Sequence, residues 1–190
     1  MQKISIDRIT GTEEIRRRLD EAGDGEYTLL EIGGEAAGVK VTADEGMLRR
    51  CLGVMRGCPE AVMVYTDYRD VDSCGGVTRH PLIDCHAGSV RDDFDFGFMA
   101  VVRTAALRRA VAAAGEYRFA GWYAVRLALM RQGRIARIPE PLYSAELMPD
   151  ERAGERQFDY VDPRNRAVQV DMEQAFTEHL GLTGALTGEA

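Results

Sequence analysis

An unbroken apolar run, Ala61-Val-Met-Val-Tyr-Thr66, constrains this chain more than any other stretch. A strand with one wet face alternates apolar and polar residues, whereas a run without alternation must be covered on both sides. It therefore predicts a central strand in a three-layer α/β/α domain, with helices over both sheet faces. Asp67 follows directly and falls at the strand's carboxyl end.

The residues before it repeat the same grammar. Lys3-Ile-Ser-Ile-Asp7 alternates like a short strand. Thr10-x-x-Glu13 reads as a capping box, with Ile15, Leu19 and Ala22 on one helical face and Arg16, Arg17 and Arg18 on the solvated side. Tyr27-Thr-Leu-Leu-Glu31 reads as a buried strand. Ile32 to Gly38 reads as a loop that lacks the spacing and the Lys-Ser pair of a phosphate loop. Thr42-x-x-Glu45 then caps a helix with Met47, Leu48, Cys51, Leu52 and Met55 as its stripe. Strand, helix, strand, helix, strand predicts a mostly parallel sheet with right-handed crossovers. In such sheets ligands bind beyond the carboxyl ends of the strands, where Glu31, Asp67 and Asp70 fall.

Beyond residue 70 the chain changes character. Cys74, His80, Cys85 and His86 offer soft ligands, but their spacing fits no standard zinc site, and a loop or hairpin is the plainer reading. Arg91-Asp-Asp-Phe-Asp-Phe-Gly97 sets three carboxylates among two aromatics before a strand, Phe98 to Arg103. It reads either as a solvated turn or as a ligand-facing rim, since carboxylates bond sugar hydroxyls and divalent ions. Thr104 caps a helix over 105–114, and a second helix follows Tyr117-Arg-Phe-Ala-Gly-Trp-Tyr. Its Trp122, the only tryptophan, suits either the core or a sugar-stacking face. Two short strands meet at a proline corner, 134–139 and 141–144. A long polar loop from Glu146 to Tyr160 carries Arg152 and Arg156, and Asp162-Pro163 opens a final helix. The expectation is one domain over 1–182 and a frayed tail over 183–190.

Totals narrow the function classes. A chain of 190 residues can bury about 70% of the surface it exposes when unfolded, enough for a core without staples. A net charge of −7 excludes a general nucleic-acid binder, although local arginines can still hold a small anion. No stretch approaches the apolar length of a membrane span, the start is not a signal peptide, and the four cysteines read as reduced thiols. The expected location is the cytoplasm.

Several stretches together resemble family 2 glycosyltransferases, the inverting GT-A-fold enzymes that use nucleotide-sugar donors, and in particular a bacterial subgroup. They are Met63-Val-Tyr-Thr-Asp-Tyr68, His80-Pro-Leu-Ile-Asp84, Gly88 to Gly97, Tyr117 to Tyr123 with Arg126-Leu, Ile138-Pro-Glu-Pro-Leu-Tyr143, and Phe158 to Arg166 through Leu180. The resemblance implies a GT-A-like fold and transfer of a sugar to an acceptor hydroxyl, with a magnesium or manganese ion or arginines neutralising the departing diphosphate. It puts Asp67 near the donor. Asp92, Asp93 and Asp95 become the carboxylates for catalytic, sugar or metal roles. Glu31, Arg91, Trp122, Tyr123, Arg152 and Arg156 become candidates for donor or acceptor binding.

The departures are also specific. The family's opening nucleotide-binding strand and loop have no counterpart ahead of Lys3, so the domain is expected to be truncated at its N-terminal side. The place of the Asp-x-Asp metal motif reads Glu31-Ile-Gly-Gly, and the place of the catalytic acid reads Ala120-Gly121. A catalytically degenerate sugar- or partner-binding relative is therefore the alternative to a transferase. A truncated sheet exposes an edge, which predicts self-association or a partner chain.

Overall fold

The computed structural model describes residues 1–33, 38–147 and 166–185. In chain order its elements are β1 (Gln2–Ile6), α1 (Thr12–Ala22), β2 (Tyr27–Ile32), β3 (Val39–Ala43), α2 (Met47–Gly57), β4 (Ala61–Val71), β5 (Val77–His80), β6 (Met99–Arg103), α3 (Thr104–Ala113), α4 (Gly121–Gln132), β7 (Arg134–Leu147) and α5 (Arg166–Thr183). The strands form one sheet ordered β1-β2-β6-β4-β7-β3, with β5 added to β4.

The sheet is mixed, which corrects the mostly parallel expectation. Only β1–β2 and β4–β7 pair in parallel, while β6 runs antiparallel between β2 and β4. β1–α1–β2 does return its strand in the same direction, as does the longer passage from β2 to β4, while β3–α2–β4 and β6–α3–α4–β7 reverse it. A later strand, β6, then fills the space between the two halves, which the order of the first five elements cannot reveal. β1, β2, β4 and β7 still share one carboxyl edge, so the rim survives the correction.

The central run behaves as its composition demands. Ala61 to Tyr68 are all buried, and β4 carries α2 over one face and α4 over the other. The stripe of α2 packs through Met47, Cys51 and Met55, and burial pushes the Cys51 thiol up to about 12, as an inert core sulfur.

Local boundaries shift where side chains find other partners. Thr10 does not cap α1: its hydroxyl accepts the Asp7 N–H at 2.7 Å, and the helix starts at Thr12 after Gly11. Thr42 belongs to β3, an edge strand on β7, and α2 starts only at Met47. The two strands expected at the proline corner are one, β7. Its Pro139 and Glu140 lie unopposed where the register jumps from Thr66↔Ile138 to Asp67↔Pro141. Proline cannot donate to a ladder, so a bulge is where a strand tolerates it. The last helix runs to Thr183, the first residue of the expected tail.

α5 docks on α4 through Ala175 and His179. The His179 Nδ1 lies 2.8 Å from the Arg131 Nη1. An arginine only donates, so this nitrogen must be the lone-pair acceptor and the ring neutral. Burial first, then the charges of Arg131 and Arg126, hold the imidazole below its ordinary value. The stability it contributes is therefore complete above the unfolded value near 6.5 and declines as pH falls toward the depressed native one. Amide protection factors along α5, which remove the intrinsic slowing of exchange in acid, should fall between about pH 7 and pH 5, and His179→Gln should remove that dependence. Identical protection factors at both pH values would contradict it.

Candidate functional site

Asp67 does not sit at a strand end. β4 continues to Val71, extended by its hairpin with β5, and the bulge turns the carboxylate under the segment that follows His80. It is completely buried. Arg137 donates to it from Nε at 2.7 Å and Nη2 at 3.0 Å, Arg79 from Nη2 at 3.0 Å, and the Leu82 N–H at 3.1 Å. Every acceptor direction is used by the protein itself, so Asp67 holds β4, β5, β7 and residue 82 together.

The three carboxylates of the 91–97 stretch go separate ways. Asp93 is forked by Arg91 at 2.6 and 2.8 Å on the exposed side of the loop. Arg91, first expected to meet a ligand, is thereby engaged. Asp95 accepts the Gly97 N–H at 2.7 Å and turns toward the rim. Asp92 has no cation within ion-pairing distance among the described residues, and it lies on a ridge between two hollows. One is an open groove of about 540 Å³ between the 90–92 loop, Tyr123, and Gln169, Met172, Glu173 and Phe176 of α5. The other is a cavity of about 10 Å³, room for a single water, with Arg8, Trp122 and Arg126 in its wall.

α4 fixes this loop from below. Tyr123 donates its hydroxyl to the Val90 carbonyl at 2.6 Å. Arg126 is 1% exposed and donates to the carbonyls of Ser89, at 3.1 Å, and Arg91. Its guanidinium lies 4.8 Å from the Tyr123 ring centre and 5.6 Å from that of Phe96. Burial pulls it down to about 10, so it remains charged at neutral pH. Trp122 is 5% exposed, and its indole is part of the core rather than an open stacking face.

Gly97 closes the loop for a steric reason. Its φ is +70°, and a Cβ there would stand 2.1 Å from the Tyr143 hydroxyl, which accepts the Phe98 N–H at 2.8 Å. Gly97→Ala is expected to cost about 2–4 kcal/mol, from left-handed strain plus overpacking. An unchanged melting temperature would contradict it.

On the rim, residues from four segments meet. His80, at the end of β5, directs Nδ1 to Asp70 Oδ2 at 2.7 Å and stacks on Tyr68 with ring centres 4.3 Å apart. Its Nε2 faces Asp95 Oδ2 at 3.9 Å, and the other Asp95 oxygen lies 3.8 Å from Arg8, just past β1. Arg8 also lines the small cavity with Asp92, so the network and the ridge are continuous. Sequence reasoning gives His80 a role only as a zinc ligand, assigns Asp70 to the edge without a role, gives Arg126 no role beyond its place in a resembling stretch, and misses Arg8. The usable signal is the hairpin: pairing Tyr68 with His80 sets Asp70 diagonally across from the imidazole.

The remaining candidates fall elsewhere. Glu31 accepts Lys3 at 2.5 Å and the Ser5 hydroxyl at 3.2 Å across β1–β2. Arg152, Arg156 and Asp162 lie outside the described residues. Cys74, in the β4–β5 turn, is exposed, Cys85 turns to the His86 carbonyl at 4.0 Å, and His80 is held by Asp70. Among the described residues no three His, Cys, Asp or Glu side chains gather closely enough to hold a metal ion. The place of the family's acid is also filled: Ala120 is fully buried, and a Cβ on Gly121 would meet the Thr12 nitrogen at 2.2 Å. No described helix is long and apolar enough to cross a membrane. No protein-family model matches the chain, and no curated protein does either.

Proposed function

We propose that the chain is a glycosyltransferase-like protein that takes a nucleotide-diphosphate sugar on its carboxyl rim and passes the sugar, with inversion, to an acceptor hydroxyl. One observation supports this above the others: Arg8, Asp70, His80, Asp92 and Asp95, from separate segments, converge at the common strand edge beside the stretch that carries the family resemblance. Such a rim offers a cation for a phosphate oxygen and carboxylates for sugar hydroxyls. Glu31 is committed to Lys3, so the described residues do not fit the family's metal site, and no step is assigned to magnesium or manganese.

The packed head of α4 and the fully bonded Asp67 favour a second reading, a degenerate relative that binds a sugar or a partner chain without turnover. Calorimetry with uridine- and guanosine-diphosphate sugars, with and without manganese, combined with an assay for released nucleoside diphosphate, separates the two. Saturable heat with release is the transferase result. Heat without release is the binding-module result, and no heat with any donor contradicts both sugar readings. Among the described residues β1, β3 and β5 each pair on one side only, and we further propose self-association through one of these edges. A monomer by light scattering at working concentration would contradict that.

A further inference from the structure

We infer that His80, oriented by Asp70, is the group that takes the proton from the attacking hydroxyl; this rests on the transferase reading above. The head of α4 has no room for an acid, and Asp67 has no unused acceptor, so among the described residues the base comes from another part of the rim.

His80 is held from two directions and faces Asp95 across a gap. A carboxylate only accepts, so the 2.7 Å contact with Asp70 fixes a proton on Nδ1, and in the neutral ring the lone pair is on Nε2. Stacking on Tyr68, 12° from parallel, sets the ring plane. The gap from Nε2 to Asp95 Oδ2 is 3.9 Å, too long for a hydrogen bond, and leaves Nε2 open to a hydroxyl donor at about 2.8 Å. That donor is the acceptor hydroxyl. Its proton passes to Nε2, and its electron pair forms the bond to the anomeric carbon. The bond from that carbon to the diphosphate oxygen breaks, and the nucleoside diphosphate leaves with the electrons, near Arg8. Asp95, 3.9 Å away, favours the protonated ring by its charge alone. Asp70 is a positioning residue, since it acts through the imidazole.

The test uses the full chain with UDP-glucose and GDP-mannose, and water as the acceptor. Binding is followed by calorimetry and turnover by nucleoside diphosphate release. His80→Ala should leave the donor Kd within twofold, lower release at least 100-fold, and regain part of it on addition of free imidazole. Asp70→Ala should lower release about tenfold and convert the single Nδ1–H tautomer of His80 to a mixture in the ring 15N spectrum. Release by His80→Ala equal to wild type overturns the inference while leaving the transferase reading standing. Loss without imidazole rescue and with weakened binding also overturns it, because it marks a binding or structural role. A wild-type chain that binds no donor, or binds without release, overturns the transferase reading and this base with it.

Discussion

Asp67→Ala is expected to lower the stability of the chain by about 3–5 kcal/mol, the range for breaking a buried ion pair from one side. In a domain of this size that corresponds to a fall in melting temperature on the order of 10 °C. The substitution leaves Arg137, whose side chain is 15% exposed, facing a void with only the exposed Asp84, 3.4 Å from its Nη1, as a counter-charge. It also strands the Leu82 N–H and detaches one end of the Arg79 bridge. Acid should act in the same direction. Burial alone would raise the Asp67 carboxyl, but hydrogen bonds from Arg137, the Leu82 N–H and Arg79 outweigh it and hold it below the usual range. This stability is complete above the unfolded value near 4 and is lost as pH falls through the depressed native value. In Asp67→Asn, the acid limb of stability against pH, followed by urea melts, should therefore be shallower than in wild type. A melting temperature for Asp67→Ala within 2 °C of wild type, on the order of a single surface contact, would show that Asp67 is not a structural bolt.

Gly121→Ala is expected to be nearly as severe, about 3 kcal/mol or more, because the obstacle is backbone and cannot rotate away. The added methyl would stand 2.2 Å from the Thr12 nitrogen, 2.3 Å from the Gly11 carbonyl carbon and 2.6 Å from the Thr10 oxygen. The same joint is tied by the Trp122 N–H on the Thr10 carbonyl at 3.1 Å and the Thr12 N–H on the Tyr117 carbonyl at 3.0 Å. Separating α1 from α4 would loosen the helix that carries Tyr123 and Arg126. Gly121→Asp, which puts an acid where the resemblance implies a base, should destabilise further by adding a charge without a partner and should not raise nucleotide release. Soluble, fully stable Gly121→Asp protein with faster release would reverse this view of α4.

The layered class was readable because it follows from burial: a run like Ala61–Tyr65 permits little else, and the stripe of α2 has its period written in Met47, Cys51 and Met55. Strand order was not readable, since β6 enters between β2 and β4 through contacts distant in sequence. β3 escaped notice because Val39-Lys-Val-Thr-Ala43 is short, and Thr42 with Glu45 imitates a cap. At the site, composition singled out the 91–97 stretch, but only coordinates separate Asp93, spent on Arg91, from Asp92 and Asp95 on the rim. Asp67 looked accessible because a strand was ended at its last apolar residue, when a hairpin carries it onward. Charge type was visible in the sequence; the pairing that decides which charge remains available was not.

The claim on which the functional reading turns is that Arg8, His80 and the 92–97 stretch form one ligand surface on the carboxyl rim. Amide 15N–1H chemical-shift mapping during titration with UDP-glucose tests it most directly. Saturable shifts concentrated at Arg8, Asp70, His80 and Asp92 to Gly97, with α2 unmoved, are the predicted result. Shifts centred on α2 or on the outer face of α1, or none at millimolar ligand, would contradict it.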